Sequence, residues 1–200
     1  MDNTYLFIDG TNLYSAQFDL FGPNRYLNFS SFIKKIENIL KIKFNLIFFY
    51  ASYTPNKLVF SLIEKQYIIN EFKFYQSVKL TNNLIFFKGY RSKTSGKEKE
   101  VDVKLAVDLV GFGLLNEFTR AYVFTGDADF LQAIFFLKKY RPNKQIELLC
   151  LSNRIMYKGL FYLPSHILNI GNKPLKERGI AKKAKIIKIK KTADLCPRLG

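Results

Sequence analysis

Two cysteines and a single histidine leave this chain without much of the usual catalytic chemistry. Cys150 lies in an apolar run, Cys196 near the C-terminus, and His166 is the one imidazole in 200 residues. That supply excludes a disulfide framework and a zinc site of nitrogen and sulfur ligands. It also argues against histidine-based acid–base cleavage of phosphodiesters, because no second imidazole is present. Long apolar runs are missing as well. The longest, "LIFFYA" (46–51) and "AIFFL" (133–137), fall far short of the roughly 20 residues that span a bilayer. "MDNTYLFIDG" has no basic leader before its first apolar segment, so no signal peptide and no membrane association are expected, and the reading is cytoplasmic. Acid is scarce too: 16 Asp and Glu stand against 32 Lys and Arg, a formal charge of +16.

What the chain does have is core material, with 48% apolar residues including 20 Phe, enough for one well-filled domain. The positive excess favours a polyanionic partner, nucleic acid or an anionic membrane face. Codon bias in an AT-rich genome produces a similar excess of Lys, Phe, Ile and Asn, so charge alone does not choose.

Strand and helix signals alternate along the sequence. "TYLFID" (4–9), "FNLIFFYA" (44–51), "NLIFFKGY" (83–90), "RAYVFTG" (120–126) and "QIELLCL" (145–151) read as strands, and "SHILNI" (165–170) as a last edge strand. Between them, 30–41 has helical spacing with Ser30 or Ser31 as N-cap, and Pro55 opens a helical stretch to about Phe74. Residues 101–115 and 128–140 read as helices, and Ser152 can cap a short one. Apolar strands separated by helices predict an α/β, three-layer Rossmann-like sandwich with a central, mostly parallel five- or six-stranded sheet. The domain is expected over residues 1–172. Residues 173–191 hold nine basic residues and one acid, so 173–200 read as a basic, flexible tail that also contacts phosphates.

In such a sheet, ligands collect beyond the carboxyl ends of the strands, where strand order reverses. Asp9 ends the first strand, and Asp127 and Asp129 follow the fourth. If those strands are neighbours, the three carboxylates converge. Asp102 begins the helix after the third strand and joins them. Asp108 lies six residues further, about 120° around the helix axis, and is expected to pair with Lys104 or cap backbone instead. Any one of these acids could be a helix cap. Together on one rim they repel, and a hard divalent cation removes that penalty, Mg²⁺ or Mn²⁺ rather than zinc. Gly126 is expected to leave room for a metal and a phosphate.

"FIDGTNLY" (7–14), "VDVKLAVDL" (101–109) and "FTGDADF" (124–130) resemble the three signature segments of the NYN domain, the LabA-like branch of the PIN-like ribonuclease superfamily. Order and spacing agree over about residues 4–170. The resemblance implies a PIN-like fold whose acidic rim binds Mg²⁺ or Mn²⁺ and cleaves RNA. It implies Asp9, Asp102, Asp127 and Asp129 as metal-binding, catalytic acids, and Asn12 as the residue that helps hold substrate or metal. Many relatives have Lys-Gly before Val-Asp; here Lys99-Glu100 stands there, adding an acid beside the site.

The expected reaction is hydrolysis by metal-activated water, leaving 5′-phosphate and 3′-hydroxyl ends. Arg91, Lys93, Lys97 and Lys99 border the rim and are candidates to bind nucleic acid. Tyr14 and Phe130 could stack on bases, although Phe130 also suits a core. RNA is the expected partner, with DNA and a homodimer left open. The alternative is a catalytically inactive RNA-binding or regulatory module on the same fold. A haloacid-dehalogenase phosphatase is excluded because Phe7, not Asp, precedes Asp9 by two residues. A P-loop is excluded because six residues, not four, separate Gly89 from Gly96, and Glu98 replaces the Ser or Thr.

Overall fold

The computed structural model describes residues 3–54, 61–91, 98–155, 163–170, 184–189 and 195–196. In chain order its elements begin with β1 (Thr4–Asp9), α1 (Gly10–Phe21), β2 (Tyr26–Leu27), α2 (Phe29–Leu40) and β3 (Leu46–Ala51). There follow α3 (Leu62–Lys79), β4 (Leu84–Lys88), β5 (Tyr90–Arg91), β6 (Glu98–Lys99) and α4 (Val101–Leu114). The last part holds β7 (Arg120–Phe124), a 3₁₀ turn (Ala128–Phe130), α5 (Leu131–Tyr140), β8 (Gln145–Leu151), β9 (Ser165–Ile170), β10 (Lys185–Ile189) and β11 (Leu195–Cys196).

Seven strands form one sheet in the order β10-β9-β8-β7-β1-β3-β4. Every neighbouring pair in it is parallel. The chain builds outward from β1 to β4, then returns to lay β7 on the other side of β1. Strand order therefore reverses between β1 and β7, which is where a doubly wound sheet opens a crevice at its carboxyl edge.

Alternate residues of the central strands supply two separate cores, because successive side chains point to opposite faces of a sheet. Leu6, Ile8, Phe49 and Phe124 pack with α1, α2 and α3. Tyr5, Phe7, Phe48 and Val123 pack with α4 and α5. The second core stacks Phe7 on Phe48, with ring centroids 5.1 Å apart and planes at 10°.

The sheet differs from the expected one at its edge and its helix starts. A seventh strand, β10, comes from the segment expected to be a flexible tail. Its "KIIKI" sequence buries Ile187 and Ile189 while Lys188 stays exposed, the alternation of a half-covered edge strand, so charge density alone misjudged it. β11 from the same segment pairs antiparallel with β2. Consequently "SHILNI" is an inner strand rather than the edge. The N-cap of α2 is Asn28, whose side chain accepts from the Ser31 N–H, not Ser30 or Ser31. α3 starts at Leu62 behind a reciprocal capping box of Ser61 and Glu64, and residues 55–60 lie outside the described residues. The short helix expected after Ser152 also falls on residues not described, beyond the turn that ends at Arg154.

Candidate active site

Four loops meet at the carboxyl edge beside the strand-order reversal. β1 ends in Asp9, which N-caps α1: its Oδ1 accepts from the Asn12 N–H at 2.9 Å. Its other oxygen, Oδ2, accepts from the Thr125 hydroxyl at 3.1 Å, across from the loop after β7. The Thr125 oxygen in turn accepts from the Asp127 N–H at 3.0 Å. The Asn12 side-chain oxygen accepts from the Gly126 N–H at 3.2 Å. Asp127 then accepts from the Asp129 N–H at 3.0 Å and starts the 3₁₀ turn. Each of these bonds satisfies a backbone or hydroxyl donor near the crevice, and the series ties the loop after β1 to the loop after β7.

These loops frame a cavity of about 390 Å³ lined by Asp9, Thr11, Asn12, Ser15, Asp102, Asp127 and Arg154. Three of the four expected acids therefore share one space. Asp102 reaches it from the first turn of α4, where Glu100 takes a left-handed conformation (φ 73°) to start the helix. Asp129 does not line this cavity and is exposed on the 3₁₀ turn. Asn12 accepts the Gly126 N–H with its side-chain oxygen, so its observed part is to hold the two loops together.

The donor set suits a hard cation, since Asp9, Asp102 and Asp127 offer only carboxylate oxygen. Among the described residues, however, no three acidic, histidine or cysteine side chains stand close enough together to hold an ion as a ready cluster. The three acids line one cavity.

Gly126 serves a different purpose from the expected one. A Cβ placed there would lie 2.5 Å from the Arg154 carbonyl oxygen and 2.8 Å from its Cβ. The bare backbone makes room for the loop after β8, not for a metal or phosphate. Tyr14 is likewise no stacking platform, because it is 1% exposed and its hydroxyl donates to the Tyr67 carbonyl at 2.8 Å. Phe130 is buried in the core. Asp108 behaves as its helix position demands, taking Lys104 Nζ at 2.5 Å and the Tyr50 hydroxyl at 2.9 Å. Burial and the adjacent Asp108 carboxylate push the Tyr50 hydroxyl's pKa up.

Of the basic loop, Arg91 and Lys99 belong to a two-strand ladder, β5 against β6, that feeds straight into α4 and Asp102. Lys93 and Lys97 lie outside the described residues. Four contributors are not among the sequence candidates: Thr11 and Ser15, which line the cavity from α1, Thr125, inside the "FTGDADF" segment, and Arg154, a lone basic residue after a strand.

His166 is removed from this chemistry, bonded through Nε2 to Glu147 at 2.6 Å on β8. That hydrogen bond lowers the Glu147 pKa against the opposing effect of burial, with Arg120 helping. A carboxylate whose folded pKa is depressed adds stability above its unfolded value and loses it as pH falls through the folded one. Glu147→Gln is therefore expected to flatten the acid side of the stability profile, below about pH 4.5, measured as Tm from pH 3 to 7.

The sequence matches the NYN domain over residues 3–154, a span containing β1 through β8 and every residue lining the cavity. The chain belongs to the NYN domain family. This is a nuclease-type family of the PIN-like superfamily. Curated proteins offer no match to the sequence. The fold is similar to the crystal structure of a protein of unknown function from Vibrio parahaemolyticus, with a TM-score of 0.56 and 13% identity. That likeness covers 83% of this chain and 91% of the other, and it shows a shared architecture. Among the described residues of this NYN chain, no helix is long and apolar enough to cross a membrane.

Proposed function

We propose that this NYN protein is a divalent-metal-dependent ribonuclease. The observation that carries the reading is the meeting of Asp9, Asp102 and Asp127, from three separate loops, in one cavity at the strand-order reversal. A Mg²⁺ or Mn²⁺ ion held by these acids would supply Lewis acidity toward an attacking water and the leaving oxygen. The protein's own part is positional. Thr125 and the Asn12 N–H fix both oxygens of Asp9, and Asn12 and Thr125 fix the backbone from which Asp127 projects. Carboxylates held this way pay little reorganisation when charge develops at a phosphate. The +16 charge favours a nucleic-acid substrate.

The rival reading, an RNA-binding or regulatory module without catalysis, has one observation in its favour: the acids are not gathered into a ready ligand cluster. Labelled single-stranded RNA, structured RNA and single-stranded DNA, each with Mn²⁺, Mg²⁺ or chelator, separate the two. Cleavage with Mn²⁺ or Mg²⁺, absent with chelator and leaving 5′-phosphate ends, is the expected result. Binding of RNA with no cleavage under any metal would support the module instead.

A further inference from the structure

We propose that Arg154 is a phosphate-contacting residue of this cavity, presented to the nucleic-acid backbone by a fixed brace on α1. The proposal rests on reading the cavity as the place where a phosphodiester is held. Three of the described lining residues are carboxylates and one, Arg154, is a cation. A polyanion approaching three carboxylates meets repulsion, and the basic residue at the edge of the same space, ion-paired with Asp19, is the local feature that offsets it.

The side chain is already placed. Nη2 donates to the Ser15 hydroxyl at 2.8 Å and to Asp19 Oδ2 at 2.5 Å. Thr11, Ser15 and Asp19 are spaced four apart on α1, so they form one stripe leading out of the cavity. The guanidinium lies against the outer part of that stripe. Among the described residues both of its side-chain bonds use the same terminal nitrogen. A guanidinium has five donors in a planar fork, so Nε and the other terminal nitrogen remain available to a phosphate. Bracing also reduces the rotamer freedom that a long side chain loses on binding. The backbone is anchored too, because the Arg154 carbonyl and Cβ occupy the space that any side chain at position 126 would need. The Arg154 backbone is thereby packed against Gly126, the residue before Asp127.

A structural reading, in which Arg154 merely pins the loop after β8 to α1, predicts a change in stability and none in ligand binding. Short single-stranded RNA bound by the full chain in chelator, across a salt titration, distinguishes them without any reliance on cleavage. Arg154→Ala is expected to weaken binding about 5- to 10-fold, with the log–log salt slope shallower by about 0.7. Arg154→Gln, too short to keep the Nη2 bonds to Ser15 and Asp19, is expected to show the same loss of affinity and slope with only a small fall in Tm, since the Asp19 pair is half-exposed. The exposed Lys139, in the last turn of α5 away from the carboxyl edge, serves as the charge control. Lys139→Ala is expected to change affinity less than 2-fold. Wild-type affinity and slope in Arg154→Gln would overturn the proposal, as would an equal loss in Lys139→Ala. If the wild-type protein binds RNA through Arg154 yet cleaves nothing under any metal, the ribonuclease reading fails and the phosphate contact stands. If cleavage is present, Arg154→Gln is expected to raise KM more than it lowers kcat.

Discussion

An Asp127→Asn variant is expected to cleave RNA about 10³-fold more slowly than the wild type, a barrier increase of ~4 kcal/mol. The substitution isolates charge from structure. Asp127 accepts from the Asp129 N–H to start the 3₁₀ turn, and an asparagine oxygen can accept that same bond. The Asp127 backbone stays tied to Thr125. What disappears is one of the three negative charges around the cavity, and with it much of the affinity for a divalent cation. That loss has its own readout, independent of turnover. A ligand that binds the native state raises Tm by mass action, so Mn²⁺ should stabilise the wild type and leave Asp127→Asn nearly unmoved. RNA binding in chelator should be unchanged or slightly tighter, since a repulsive charge has gone. Asp129→Asn supplies the contrast. Asp129 is exposed and does not line the cavity, so a loss no greater than about 10-fold is expected. Equal losses in the two variants would restore Asp129 to the ligand set; wild-type cleavage by Asp127→Asn would remove Asp127 from it.

The acids could be located from sequence because two simple rules meet there. Buried parallel strands appear as apolar runs, and a doubly wound sheet opens at the carboxyl ends where β1 and β7 lie side by side. Asp9 and Asp127 follow directly from those rules, and the helix period separated Asp102 from Asp108 correctly. Distances between loops do not follow from them. Strand ends are fixed by register, whereas the path of a loop depends on what packs against it. That is why the neighbour of Gly126 is the Arg154 backbone, which no local rule indicates. Arg154 was invisible for a related reason. Its partners Ser15 and Asp19 are more than 130 residues away in sequence, and no local pattern encodes that contact. β10 was missed because eight Lys and one Arg in 173–191 outweighed the alternating Ile that marks its strand.

Gly10→Ala is expected to destabilise the domain, although alanine at a helix start normally helps. Gly10 is the first residue of α1 and follows Asp9 directly. Replacing glycine in a helix usually gains about 0.5–1 kcal/mol by restricting the unfolded chain. Here the added Cβ would stand 2.1 Å from Phe49 Cε1 and 2.5 Å from Cζ. The ring cannot easily step aside. Phe49 is fully buried, with the rings of Phe29, Phe86, Tyr75 and Phe74 at centroid distances of 5.5, 5.4, 5.7 and 6.2 Å. Either Phe49 leaves its rotamer or α1 lifts from the sheet, and overpacking of this kind costs about 1–3 kcal/mol. A net loss of ~2 kcal/mol lowers Tm by roughly 4–8 °C in a chain of this size. Because α1 carries Asn12 and is capped by Asp9, lifting it also disturbs the cavity, so cleavage should fall with stability. Gly111→Ala in α4 is the control: no atom lies within 4 Å of its added Cβ, and Tm should rise. The contact itself is tested by a double-mutant cycle with Phe49→Leu, which shortens the obstructing side chain. If the ring is the cause, the pair should be less destabilised than the two single changes added together; strict additivity would place the damage elsewhere.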